Sequence, residues 1–450
     1  MSPDNLYRRF ILVGMQPTVR RTRRTRRRVG ATALTLATTA SLALTAATTP
    51  APAAILQLPN PGSAIGDGWE LQTVMRTAAT VVGHSAPGMS IAIVKPDPDE
   101  PGESITTTYH FGLADKENQR KVGPQTQFEI ASETKTFTAA LLAKRIRAGQ
   151  SDLADLAQDY EQDVTFPTMG GAAITLGDLV THRSGLTDDP GNLHAGCPGS
   201  DPGCPDAMAR YNRTLLREGI EAPGALANAP GSTWLYSDFG FGTVGTLMAD
   251  AFAPGSPEPQ FADVVEAELT GPLGMTSTVL ETRTPELAQP YRNGAEADLW
   301  NNTGALAGGG GLISTVSDMA RWVAGTLGYG DSPLVPVLQS MLEPIAGVAP
   351  TNQPDMTMGM AWQLYPAQNG ITRPYAFKNG ASNGSTSATY LLPSEGWGVT
   401  VLANGLHTRD DGQADPTTDQ AAFALMRELA PLFPTPETGS GSSPFGSVGS

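Results

Sequence analysis

The stretch from Phe128 to Gln150, FEIASETKTFTAALLAKRIRAGQ, constrains this chain more than any other. Phe137, Leu141, Leu142 and Ile146 recur at helical spacing and predict a buried helix. The apolar run Phe128-Glu129-Ile130-Ala131 comes just before, so Ser132-Glu133-Thr134-Lys135 must lie at the boundary of a core. The Ser132 hydroxyl can open or cap that helix by satisfying one of its free N–H groups. Residues three apart share a helical face, which puts Lys135 beside Ser132. A serine hydroxyl is a weak nucleophile until a base removes its proton. A buried lysine with a depressed pKa can be that base, or can hold the base in its ionised form. The helix N-terminus adds N–H groups and positive potential where an oxyanion would form. Alone, Ser-x-x-Lys more often describes an exposed helix start with a surface lysine, so the rest of the chain must decide.

Strand patterns gather at the two ends. In the N-terminal part, Met89–Val94 and Ile105–Leu113 read as strands joined by the PDPDEPGES turn. Towards the C-terminus, Met358–Leu364, Tyr375–Gly380, Ser387–Leu392 and Trp397–Ala403 read as strands, followed by a closing helix from Thr417 to Leu432. Between them lie helical patterns. Residues 173–186 form a helix capped by Thr175 with Asp178, stopped at Gly185 and carrying His182 as a structural histidine. FGFGTVGTLMADAF, Phe261–Leu269 and Ser314–Leu327 are further helices. The AGGGGL run, from Ala307, lacks the Gly-Lys-Ser/Thr ending of a phosphate loop and reads as backbone packed near a cleft. The expected class is α/β in the α+β sense: one antiparallel sheet built from both ends of the chain, with flanking helices and an inserted all-helical region.

The N-terminus is basic, with nine arginines among residues 8–28, and is followed by GATALTLATTASLALTA and the small residues Ala51-Pro52-Ala53. This is the order of a secretory signal peptide over residues 1–53, and the arginine pairs hint at export of a folded chain. A single membrane anchor is the alternative, but the run is short and alanine-rich. Residues 54–432 would then be the functional domain, and 433–450 a disordered Gly/Ser-rich tail. The tail's Thr435-Pro436-Glu437-Thr438-Gly439 lacks the leading leucine and apolar segment of a wall-sorting signal. Cleavage takes nine Arg and Asp4 from a chain of net charge −15, leaving 20 basic and 43 acidic residues. That balance argues against nucleic acid or an anionic membrane as partner, and no later run is long enough to span a bilayer. Cys197 and Cys204, in HAGCPGSDPGCPDA, are expected to form a disulfide in an exported protein. A metal pair is the alternative, with His194 as its only nearby partner; no other metal or cofactor motif appears.

Three stretches stand in order: Ser132-Glu133-Thr134-Lys135, Tyr236-Ser237-Asp238 and Lys378-Asn379-Gly380. They resemble the Ser-x-x-Lys, Tyr-x-Asn and Lys-Thr-Gly motifs of the serine β-lactamase and penicillin-binding-protein superfamily. The branch most similar is that of class C β-lactamases, D-alanyl-D-alanine carboxypeptidases and related esterases. ITLGDLVTHRSGL, PGSTWLYSD, GPLGMTST, AGGGGLISTVSDMARW and KNGASNGSTSATYLLPSEGWGVTVLAN carry the same likeness, over roughly residues 66–430.

The resemblance implies that Ser132 is acylated and that Lys135 and Tyr236 share the base work. The phenol would be drawn towards phenolate by Lys135 and Lys378. Lys378 would attract a substrate carboxylate, with Asn379 donating to it in place of Thr. The N–H groups of Ser132 and Ala381 would form the oxyanion hole, with Gly380 beside them. Asp238 replaces Asn; an ionised carboxylate cannot donate to a substrate carbonyl, and can instead pair with Lys135. Gly380-Ala381-Ser382-Asn383-Gly384 matches a nucleophile elbow, but a strand follows it where a helix is needed, so Ser382 belongs to the cleft edge. The expectation is a monomeric, secreted or extracytoplasmic hydrolase, in reach of the cell wall. It would use no cofactor and act on a D-alanyl-D-alanine peptide of peptidoglycan or a β-lactam. An esterase or a non-catalytic penicillin-binding protein of the wall is the alternative.

Overall fold

The computed structural model describes residues 74–429, apart from 75, 80, 83–84, 202, 205, 257–259, 281–283, 348, 352, 409–413 and 416. The expected signal peptide, residues 1–53, and the Gly/Ser-rich tail lie outside these residues.

An eight-stranded antiparallel sheet forms the frame. Its N-terminal strands are β1 (Gly88–Pro96), β2 (Ser104–Asp115) and β3 (Arg120–Lys121). A short β4 (Gln127–Glu129) pairs outside the sheet with β5 (Ile313–Thr315). The C-terminal strands are β6 (Thr357–Met358), β7 (Gln363–Tyr365), β8 (Tyr375–Ala381), β9 (Thr386–Leu392) and β10 (Trp397–Ala403). The order across the sheet is β3-β2-β1-β10-β9-β8-β7-β6. The two ends of the chain meet at the β1–β10 seam, where Met89 faces Ala403 and Val94 faces Gly398. β1, β9 and β10 are buried almost throughout, because both faces of the sheet are covered. Their near-continuous apolar runs reflect that double coverage.

One face carries the inserted helical region. Its centre is α1 (Thr134–Arg147), which is buried over its first ten residues. Phe137 stacks on Trp322 at 3.8 Å between ring centroids. Around α1 lie α2 (Leu176–Val180), α3 (Asp238–Phe252) and α4 (Val316–Leu327). The other face is covered by Val74, Ala78 and Val81 and by α5 (Thr417–Leu429), whose Ala421, Ala422, Leu425 and Met426 pack with Ile91, Ala388, Val399 and Val401. Three layers result, with the sheet between two sets of helical segments.

Several local expectations need correction. The helix expected over 173–186 keeps its start, a capping box between Thr175 and Asp178, but ends at Val180. His182 follows in a left-handed conformation at φ 58°, and Gly185 has φ 75°. The strand expected over 358–364 is broken in two by a tight corner, in which Gly359 N donates to Trp362 O at 2.8 Å. At 314–327 the first residues extend β5, and Thr315 caps α4 by accepting from Asp318 N. Cys197 and Cys204 are joined as a disulfide, with 6.2 Å between their Cα atoms. No helix of the described residues is long and apolar enough to cross a membrane.

Candidate active site

Ser132 lies in a 3₁₀ turn, Ala131–Glu133, that runs directly into α1. Its hydroxyl caps nothing, contrary to the sequence expectation, because two other groups claim it. Lys135 Nζ lies 3.0 Å from Ser132 Oγ, one turn along, as the three-residue spacing requires. Tyr236 OH donates to the same oxygen at 2.7 Å. Ser132, Lys135 and Tyr236 are each almost wholly buried. Ala131, just before the nucleophile, is held at φ 45°, a conformation that L residues rarely adopt.

Tyr236 ends the segment that leads into α3. His182 fixes it from behind: the two rings stack at 4.3 Å. Nδ1 of His182 accepts from Ser237 N at 3.1 Å. Burial, and then the nearby Lys135 and Lys378, push the imidazole well below its usual range, so it stays neutral and can accept. Ser237 Oγ caps α3 by accepting from Gly240 N at 2.8 Å.

Lys135 uses all three of its donors. Besides Ser132 it bonds the Asp238 carboxylate and the Gly309 carbonyl. The pairing of Asp238 with Lys135, anticipated from the Asn-to-Asp departure, is therefore present. The glycine run does lie against the cleft. Thr138 Oγ1 donates to Gly308 O at 2.7 Å, and a Cβ on Gly308 would come within 3.0 Å of Gly245 Cα in α3. Burial lowers the Lys135 ammonium, while Asp238 works in the other direction. The phenol of Tyr236 is pushed well above its usual value, first by burial and then by Asp238. The expected phenolate is thus disfavoured in the free protein, because burial and a carboxylate outweigh the two amines.

Lys378 projects from β8 and is almost fully buried, with Nζ 6.0 Å from the centre of the Tyr236 ring. Its ammonium donates to Asn379 O at 2.6 Å. Burial, then Lys135, brings it down to about 7. Gly380 marks where β8 crosses the nucleophile. A Cβ there would stand 2.2 Å from Ile130 O and 2.8 Å from Ser132 N, so only glycine fits. That approach carries Ala381 to the same end of β8, next to the Ser132 turn. Ser382, just after β8, is buried and donates to Glu129 Oε2 at 2.7 Å, while Glu129 Oε1 accepts from Trp300 N at 2.7 Å.

Two acidic residues escaped the sequence reading. Glu133, between Ser132 and Lys135, is buried, and burial raises it to about 8. Thr389 Oγ1 lies 2.8 Å from its Oε2 and 2.9 Å from Thr400 Oγ1. One hydroxyl has one proton, so a protonated Glu133 donating to Thr389 lets Thr389 donate onward. Asp419, in the first turn of α5, accepts from Asn379 Nδ2 at 2.8 Å. The amide expected to meet a substrate carboxylate is therefore engaged by one from the protein. Asp419 stands 40 residues from Asn379 in the chain, and nothing in PTTDQAAF links it to Lys378.

Comparison with known proteins agrees with this geometry. A beta-lactamase family model matches residues 67–423. The chain belongs to the beta-lactamase family, and by that membership it is a serine hydrolase. A hydrolase of unguisins from Aspergillus campestris is 28% identical over 345 residues, 71% of this chain and 58% of its own length. The D-alanyl-D-alanine-carboxypeptidase/endopeptidase AmpH of Escherichia coli is 28% identical over 313 residues, 67% of this chain and 76% of its own. Among solved structures, the beta-lactamase/D-alanine carboxypeptidase of Pseudomonas syringae superposes with a TM-score of 0.62 at 21% identity, covering 80% of this chain and 99% of its own. A beta-lactamase from Sulfitobacter gives 0.64 at 24%, covering 82% and 100%. The fold is thus that of class C beta-lactamases and DD-peptidases.

Proposed function

We propose that Ser132 is the nucleophile of an acyl-enzyme cycle, on a D-alanyl-D-alanine-type amide or a β-lactam. The observation that carries this reading is the convergence of Lys135 Nζ and Tyr236 OH on Ser132 Oγ, at 3.0 and 2.7 Å. Burial enlarges the uncharged share of Lys135, the form that can accept a proton. Ser132 Oγ attacks the carbonyl carbon as its proton passes to Lys135. The oxyanion is held by the N–H groups of Ser132 and Ala381. The bond to the leaving nitrogen breaks as Tyr236 gives that nitrogen its proton, and Lys135 reprotonates the phenol. Water then attacks the ester, with the same groups taking its proton and returning one to Ser132. Residues 54–432 would be the working domain. Export after loss of residues 1–53, as a monomer acting outside the cytoplasm near the wall, fits the arginine-rich start and the disulfide.

One observation favours an esterase as the second reading. Asp238 is committed to Lys135 and has no hydrogen to donate to an amide carbonyl. Incubation with a penicillin followed by intact-protein mass spectrometry tests the chemistry. Wild type should gain the mass of the opened drug, and Ser132→Ala should gain none. An adduct that survives in Ser132→Ala, or none in wild type with any acyl donor, removes the reading.

A further inference from the structure

The end of the cleft beside Lys378 already contains a carboxylate. Asp419 enters from α5, the layer on the far face of the sheet, and its Oδ2 takes the Asn379 amide at 2.8 Å. Neighbouring Thr418 bonds Thr386 on β9, which ties the start of α5 to the sheet at this point. An acid in the first turn also sits in the positive field of the helix N-terminus. Asn379 Oδ1 is a buried acceptor with no hydrogen-bond partner, so what remains of this side chain is that acceptor and the second N–H of its amide. Lys135 is paired with Asp238, whereas Lys378 forms no ion pair among the described residues and feels Asp419 only at longer range, after Glu133 and Asp238. Burial raises the Asp419 carboxyl to about 7, against the Asn379 bond and Lys378, so it carries its full charge above that value.

We propose that Asp419 fills, with its own carboxylate, the place beside Lys378 and Asn379 that a substrate carboxylate would take. The enzyme therefore selects acyl donors whose leaving group is uncharged or carries an amine, such as blocked amides and esters, over free acids. Above about pH 7, where Asp419 is ionised, an incoming carboxylate would meet a like charge that already holds one of the Asn379 amide hydrogens. An amide or ammonium group would meet Asp419 and the open Asn379 oxygen.

This inference rests on the acyl-enzyme reading, and a matched pair of substrates separates the two. N-acetyl-D-alanyl-D-alanine and its C-terminal amide differ only at the group in question. At pH 8.5, above the value of about 7 to which burial raises Asp419, wild type should cleave the amide with kcat/KM about tenfold or more above the free acid, the size of one unscreened charge contact. Added salt should narrow the gap by screening the repulsion. Asp419→Asn keeps the shape and removes the charge, and should shift the ratio at least about fivefold towards the free acid. Competitive inhibition of wild type by D-alanine against D-alaninamide reads the same preference without a variant; the amide should bind more tightly. A wild-type preference for the free acid, or an unchanged ratio in folded Asp419→Asn, overturns the inference while a Ser132 adduct leaves the acyl-enzyme standing. Cleavage that persists in Ser132→Ala overturns the acyl-enzyme and takes the inference with it.

Discussion

Lys135 and Lys378 are both buried near the Tyr236 ring, at 4.8 and 6.0 Å from its centre, yet their partners differ. Lys135 is held by Ser132, Asp238 and Gly309, on three separate elements. Among the described residues Lys378 makes one hydrogen bond, to the carbonyl next to it. A lysine with every donor assigned is fixed in place and suits proton transfer at a set distance. A lysine with donors to spare can give them to a ligand. The residue type is the same; the number of tethers divides the labour.

The strongest way to break that comparison is to truncate each lysine in turn. Lys135→Ala should cut kcat by about a thousandfold or more, as loss of a group acting with the nucleophile does. Lys378→Ala should act mainly through KM in steady-state kinetics. Equal effects on kcat would show that the two amines do one job. Gly380→Ala comes next, because it presses a methyl between β8 and the Ser132 turn. Given contacts of 2.2 and 2.8 Å to Ile130 O and Ser132 N, it should cost about 1–3 kcal/mol in denaturant unfolding and lower the acylation rate as well. Unimpaired acylation would mean that the oxyanion end tolerates movement.

A smaller change is expected from Asp238→Asn, which sharpens the Lys135 side. Asp238 raises Lys135, so its removal should move the acid limb of the kcat/KM profile to lower pH. The new amide can donate to a substrate carbonyl and should speed β-lactam acylation by about tenfold, the worth of one hydrogen bond. A limb that moves to higher pH would contradict the pairing. The mildest test concerns Glu133. Burial raises its pKa from 4.5 to about 8, so the folded chain keeps a proton that the unfolded chain has lost between those values. Stability from this group must therefore fall as pH rises from about 4.5 to 8. Glu133→Gln should match wild type in melting temperature at pH 5 and exceed it at pH 8.5. A constant difference would place the charge elsewhere.

How far the sequence reaches depends on the range of each interaction. The Ser132–Lys135 contact was legible because three residues span one helical turn. The sheet was legible because Met89–Val94 and Trp397–Ala403 are apolar but for Ser90 and Thr400. The capping box at Thr175 was legible, yet the end of that helix was not, since His182 leaves it to reach Ser237 N across the fold. The direction in which Tyr236 titrates was misread, because counting nearby amines ignores burial and the contribution of Asp238.

By itself the sequence determined the three-motif order, the two-ended sheet, the disulfide and the chemistry open to Ser132. These follow from local spacing, from alternation or continuity of apolar residues, and from side chains a few positions apart. Only the tertiary structure decided which acid meets which amine. Asp238 finds Lys135 and Asp419 finds Asn379 through packing of α3 and α5 against the rest. Electrostatics between residues distant in the chain depends on burial and on ångström separations, neither of which exists until the layers close.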